Sequence, residues 1–275
     1  VGALASLWVT GMPVDWAAYL AETNARLVDL PTYAFQQEHY WPDTSTGWSG
    51  DVSAVGLRSA DHPLLGTAVG VARTDEFLFT GRLSLESQPW LAGHVVGGSV
   101  LVPGTAFVEL VLRAGEQAGC GVVDDLTLET PLLLPERGGV AVQVFVAAPD
   151  EDGHRAVTVH SCADDEEWVR HASGVVGAVV PPARALDVWP PENAASIDVE
   201  ELYDGLQAAG LAYGPEFRGV RSLWRRDDEV FAEVVLPEGL SADGFGVHPA
   251  LLDAALHGVA LFDGEGGLPF AWSGV

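Results

Sequence analysis

Cysteine is scarce. Cys120 and Cys162 are the whole complement, which excludes a disulfide framework and a C-x-x-C metal knuckle and suits a reducing setting. Basic residues are scarce too: 13 Lys and Arg stand against 39 Asp and Glu, a formal charge of -26. Phosphate backbones need a basic surface, so nucleic acid is excluded as a partner, and an anionic membrane surface is disfavoured. Acidity of this kind commonly serves solubility alone. No apolar run reaches the roughly 18 residues of a membrane span, and no basic-then-apolar leader is seen. H-E-x-x-H, G-x-S-x-G, P-loop and G-x-G-x-x-G patterns are missing. Metal-dependent, serine-nucleophile, nucleotide and nicotinamide chemistry are therefore without support.

What is present is a long apolar chain. Its 275 residues are 48% hydrophobic, enough for one large domain or two small ones. It opens on Val1 with no start-like segment and reads as a piece of a longer polypeptide. Asp15 is placed to cap an amphipathic helix from Trp16, within a helical stretch ending near residue 28. An extended aromatic strap runs from Leu30 to Pro42, and a Ser/Thr/Gly/Asp-rich join follows over 43–55. After Asp61 come a hairpin (68–72 and 76–83, around Arg73-Thr74-Asp75), a helix over 103–118, and strands near 122–128, 139–147, 155–161 and 167–177. Four prolines mark 178–196 as a linker. Asp198 then caps a helix over 199–209, strands follow near 217–225 and 229–236, and Pro249 opens a helix to about Leu261. Periodicity alone gives an α+β chain of antiparallel sheet plus helix. Aligning Pro103 with Pro249 sets Phe107 against Asp253, a faint internal repeat.

Two motifs carry chemistry. The first is H-x-x-x-G-x-x-x-x-P, formed by His94, Gly98 and Pro103 and followed by Gly104. The second is the stretch from His248 to His257, H-P-A-L-L-D-A-A-L-H, containing Asp253. With the Y-G-P-x-F motif at Tyr213–Phe217, they resemble the dehydratase domains of modular polyketide synthases. The strap, L-P-T-Y-x-F-Q ending in Tyr-Trp, is similar to the linker that follows their acyltransferase domains. The resemblance implies a double hot-dog fold: residues 1–60 as post-acyltransferase linker and join, 61–177 as a first hot dog with the catalytic histidine, 178–196 as linker, and 197–275 as a second hot dog with the catalytic aspartate. Only a short segment follows the last helix, so the second hot dog reads as truncated at its C-terminus.

Dehydrating a 3-hydroxyacyl thioester needs a base for the proton beside the carbonyl, an acid for the departing hydroxyl, and donors for the carbonyl oxygen. His94 suits the first task, because imidazole titrates near neutrality. Asp253 suits the second if its apolar neighbours keep the carboxyl in its acid form. Gly104, at a helix N-terminus, would let the thioester approach the backbone closely. Asp253 and His257, four apart, share a helix face. The resemblance makes His257 a support for Asp253, sets Tyr213 near the leaving hydroxyl, leaves Gly98 and Pro103 as backbone shapers, and gives His62 a structural role. A lone histidine among apolar residues is usually a satisfied core histidine, and a lone Asp early in a helix is usually a dipole partner. The surrounding motifs turn both readings toward catalysis.

Arg218, Arg221, Arg225 and Arg226 form the densest basic cluster. It is either a solvated strand edge or a contact for an acidic carrier protein and the phosphate of its phosphopantetheine arm. Family members show Gln or Arg at the position that Arg218 occupies. The implied enzyme is a hydro-lyase acting on a substrate tethered to the phosphopantetheine of acyl carrier protein. It would need no bound cofactor or metal, and would work in the cytoplasm as a homodimer beside the other domains of its module. A double-bond isomerase or cyclising relative of the same fold is the enzymatic alternative. A non-catalytic carrier-docking module is the other, and it would predict loss of His94 or Asp253. Chain length, substituents, stereochemistry and parent module are not legible.

Overall fold

The computed structural model describes residues 1–24, 26, 52, 56–163, 166–178, 188–263 and 268–275. The aromatic strap, nearly all of the 43–55 join and residues 179–187 of the Pro-rich linker lie outside the described residues.

The chain divides into two units, Val1–Pro42 and Asp43–Val275. The first contains two short helices, α1 (Gly2–Val9) and α2 (Trp16–Leu20). Asp15 caps α2 as expected, accepting the Ala18 N–H at 3.0 Å. The helix is much shorter than its amphipathic pattern suggested. The preceding helix was not foreseen.

The second unit is built on helix α3 (Gly104–Gln117), in which Thr105 through Val111, Ala114 and Gly115 are all buried and only the last two residues are exposed. An eight-stranded antiparallel sheet covers it. Its strands are β1 (Arg58–His62), β2 (Leu65–Val71), β3 (Glu76–Leu83), β6 (Val122–Leu128), β7 (Val140–Val146), β8 (Arg155–Cys162), β9 (Val169–Gly177) and β14 (Ala271–Ser273), in the order β1-β2-β3-β7-β8-β9-β6-β14. The period-2 pattern explains the facing: Val140, Val142, Val144 and Val146 of β7 point inward, as do Val157 and Val159 of β8. The 68–72/76–83 hairpin forms, with its first strand starting earlier, at Leu65.

A smaller three-stranded sheet, β10 (Ala195–Ile197), β12 (Val220–Arg226) and β13 (Glu229–Val234), packs with helices α4 (Val199–Ala208) and α5 (Pro249–Leu256). Asp198 caps α4 through the Glu200 N–H at 2.9 Å. The end of the Pro-rich segment is not linker, because β10 pairs with β12. The expected helix to Leu261 is broken: α5 stops at Leu256, a tight turn covers His257–Val259, and α6 (Ala260–Asp263) follows. Gly258 lies so close to β13 that a Cβ would stand 2.7 Å from Val230 Cγ1. The bend and the glycine therefore go together. A sheet-covered helix occurring twice in chain order is the double hot-dog arrangement. The final strand β14 does not extend the second sheet but pairs with β6 of the first.

The third sheet joins the halves. Strands β4 (His94–Val96) and β5 (Ser99–Val100) form a hairpin, and β11 (Leu211–Tyr213) pairs with β4.

Candidate active site

His94 begins the β4–β5 hairpin. Its two turn residues, Gly97 and Gly98, both have positive φ (57° and 83°), the geometry of a tight hairpin turn that side chains resist. This is the physical content of the glycine in H-x-x-x-G. The turn brings Leu101 back beside His94, so that the Leu101 N–H donates to the His94 carbonyl at 3.1 Å. The Leu101 carbonyl then lies 2.7 Å from His94 Nδ1. A carbonyl only accepts, so Nδ1 carries the proton and Nε2 keeps its lone pair. The ring is 2% exposed. Burial pushes its pKa down, while a charge on Asp253 and the Leu101 carbonyl oppose that shift. Neutral imidazole is the form the pocket favours. Pro103 is the N-cap of α3, with φ of -65°.

Register places Tyr213 directly opposite His94. The two chains come very close: Gly214 N–H donates to Gly93 O at 2.7 Å, and a Cβ on Gly214 would stand 2.8 Å from Gly93 Cα. Glycine is required at Gly214, inside the Y-G-P-x-F motif, and the residue it approaches, Gly93, stands immediately before His94. Phe217, fully buried, packs on His94 with ring centroids 5.2 Å apart. The Tyr213 ring lies 5.6 Å from His94 and 4.1 Å from His257, between the two motifs. Burial above all raises the Tyr213 phenol above its ordinary value, so its hydroxyl is a donor across the neutral range.

Asp253 lies in the first turns of α5, which His248 caps by accepting the Ala250 N–H at 3.1 Å. Burial pushes His248 down to about 4, which leaves Nδ1 free to accept. One helical turn beyond Asp253, His257 Nε2 stands 3.0 Å from Asp253 Oδ2. The Tyr203 hydroxyl of α4 faces His257 Nδ1 at 3.4 Å. Asp253 is 7% exposed and His257 4%.

His94, Asp253, His257, Tyr213 and Gly104 line one cavity of about 680 Å³. Phe107, Leu128, Leu206, Leu256 and Phe270 make the rest of its wall mostly apolar. A methyl on Gly104 would meet Leu128 Cδ1 at 3.0 Å, so the bare backbone at the start of α3 faces the space. His171 fixes another part of the wall: its Nδ1 donates to the carbonyl of Thr130 at 2.8 Å, and its Nε2 accepts the Ser161 hydroxyl at 2.7 Å. The arrangement offers a base, a carboxyl and helix N–H groups around one apolar chamber.

The arginines do not form one patch. Arg218 turns inward: its Nε donates to Tyr213 O at 3.2 Å, and its guanidinium lies 4.9 Å from the Tyr203 ring. Arg226 pairs with Glu229 at 2.6 Å and donates to Glu192 O. Arg225 packs over Phe262, 5.1 Å from its ring. Arg225 and Arg226 are successive strand residues and so project to opposite faces. Of the four, Arg221 and Arg225 are exposed. Tyr203 was not singled out from sequence. Its position in an ordinary amphipathic helix offers no signal until the fold brings it to His257.

Fold and site define a hydro-lyase domain of the double hot-dog class. Residues 62–162 match the family model described as polyketide synthase dehydratase domain, and residues 181–275 match that described as polyketide synthase dehydratase N-terminal domain. The chain belongs to the polyketide synthase dehydratase family. It is 55% identical over 290 aligned residues to polyketide synthase GfsA of Streptomyces halstedii, covering 100% of this chain but only 4% of that protein. The solved structure concerned with dehydratase substrate selection in the borrelidin and fluvirucin polyketide synthases is 49% identical, with a TM-score of 0.77 and 81% of each chain covered. The erythromycin dehydratase is 45% identical, with a TM-score of 0.75, over 81% of this chain and 83% of that one. No helix among the described residues is long and apolar enough to cross a membrane.

Proposed function

We propose that the domain removes water from a 3-hydroxyacyl thioester carried on the phosphopantetheine arm of acyl carrier protein, giving the 2,3-unsaturated thioester. His94 Nε2 takes the C2 proton. Charge building on the thioester oxygen is met by N–H groups at the start of α3, around Gly104. Asp253 gives a proton to the C3 hydroxyl, which leaves as water as the C2–C3 double bond forms. His257 supports the acid. With Nε2–H donating to Oδ2, the carboxyl proton is left on Oδ1, and Tyr213 holds the leaving hydroxyl. One proton is gained at His94 and one lost at Asp253, and solvent exchange restores both. The single observation that carries this reading is the Leu101 carbonyl at 2.7 Å from His94 Nδ1. It leaves an unprotonated nitrogen in a chamber that also holds a carboxyl. Incubation of carrier-bound 3-hydroxyacyl substrate, read by mass spectrometry, is expected to show loss of one water. Full retention of mass would sink the reading.

The rest of the setting belongs to the same proposal. The first 60 residues serve as post-acyltransferase linker, and the domain works in the cytoplasm as part of a homodimeric synthase. No cofactor enters the steps above. The carrier docks near the exposed arginines of β12, where local positive charge offsets repulsion between two acidic proteins. Arg221→Glu with Arg225→Glu should slow the carrier-bound substrate and spare a short pantetheine mimic. Equal response of both substrates, or of neither, returns these arginines to a solvated edge. Arg226 is a poor choice for this test, because reversing it breaks the ion pair with Glu229.

A further inference from the structure

The start of α5 is fastened to α3 at two levels. Thr105 Oγ1 donates to Pro249 O at 3.0 Å, across 144 residues of sequence. One turn further along α3, Glu109 Oε1 accepts the Gly246 N–H at 2.7 Å, and Oε2 accepts the Val247 N–H at 3.0 Å. Thr105 and Glu109 are four apart and share a helix face. Glu109 is 2% exposed, a place where an apolar side chain would be the ordinary choice. Its third donor is His62 Nε2, at 3.1 Å. His62 Nδ1 accepts the Leu64 N–H at 3.2 Å, so the neutral ring keeps its proton on Nε2. Burial opposes the charge of Glu109, but these hydrogen bonds outweigh it and hold the carboxyl below its ordinary value. The segment so gripped runs directly into His248, Pro249 and, one turn later, Asp253. On the other side, α3 issues from the His94 hairpin through only Leu101–Pro103.

We infer that Glu109 is a positioning residue: its carboxylate sets the start of α5 against α3, and so sets the aim of Asp253 relative to His94. The inference rests on the acid and base roles given above. Breaking this grip displaces the acid more than the base, because His94 is held independently by Leu101 and by β11.

The test compares two pantetheine thioesters. From the 3-hydroxyacyl compound the hydroxyl needs a proton to leave. From its 3-chloro counterpart, chloride departs with the C–Cl electron pair once His94 takes the C2 proton, and no acid is used. In Glu109→Gln an NH2 group faces a backbone N–H where an oxygen accepted it. Water loss is expected to slow by about 10- to 100-fold in kcat at nearly unchanged KM, with chloride loss close to wild type. Thr105→Val loosens the same anchor more mildly. It should give the same pattern at smaller size, and it keeps the question open to test if Glu109→Gln does not fold. Equal slowing of the two substrates in a folded variant would overturn the inference and leave Glu109 a purely structural group. No slowing of either would overturn it too. A wild-type domain that eliminates chloride but never water would instead overturn the dehydratase reading, and this inference with it.

Discussion

His94→Ala is expected to lose dehydration by about 10²–10⁴-fold while the domain stays folded. Alanine removes the nitrogen that takes the C2 proton, and the other groups lining the chamber are engaged elsewhere: His257 faces Asp253 at 3.0 Å, and Glu129 accepts from Ser173 Oγ at 2.6 Å and Arg170 Nε at 2.8 Å. The structural loss is one hydrogen bond to the Leu101 carbonyl, about 1 kcal/mol, plus contacts with Phe217 and Tyr213. Circular dichroism and the thermal midpoint establish the folded fraction, and turnover is compared at equal folded protein. Unchanged turnover would remove His94 from the mechanism. The pH profile checks the same claim from another side. Burial lowers the imidazole from its ordinary 6.5, and the base works unprotonated. The acid limb of kcat/KM should therefore fall at a pH below 6.5, with more than half of full activity remaining at the ordinary imidazole value. An acid limb above that value would mean that another group is titrating.

Much of the site was legible because it is local. Gly98 follows from a turn that needs positive φ, Pro103 from a helix start, and the Asp253–His257 contact from a spacing of four on one helix. The strand and helix pattern was legible for the same reason. What escaped were features made by long-range pairing. Nothing in an amphipathic helix marks Tyr203, and nothing in the α3 pattern separates Glu109 from a solvated glutamate until a segment 137 residues away supplies its donors. The arginines looked like a cluster in one dimension, but strand alternation and acidic neighbours scatter them in three. The break after Leu256 depends on how closely β13 approaches Gly258, which periodicity along the helix cannot report. The pairing of Tyr213 with His94 was anticipated as neighbourhood, through resemblance, but not as register.

Asp253→Asn is expected to be nearly as damaging as loss of the base, and its damage should be selective for the leaving group. The amide has the shape of the carboxyl and can still accept the His257 Nε2–H through its oxygen, a contact now 3.0 Å long. Packing around this 7% exposed side chain therefore changes little. It cannot supply a proton to the departing hydroxyl. Water loss from the 3-hydroxyacyl thioester should fall by about 10²–10⁴-fold, while the 3-chloro compound, whose chloride leaves unaided, should keep most of its wild-type rate because His94 is intact. Substitution of the base gives the opposite signature: His94→Ala slows both substrates, since each begins with loss of the C2 proton. The pair of variants thus assigns base and acid separately from a two-by-two comparison of rates. If Asp253→Asn slowed chloride and water loss alike, the carboxyl would be shaping the chamber rather than donating a proton. If it slowed neither, the proton for the hydroxyl would have to come from Tyr213, whose phenol burial keeps protonated, and Asp253 would lose its role.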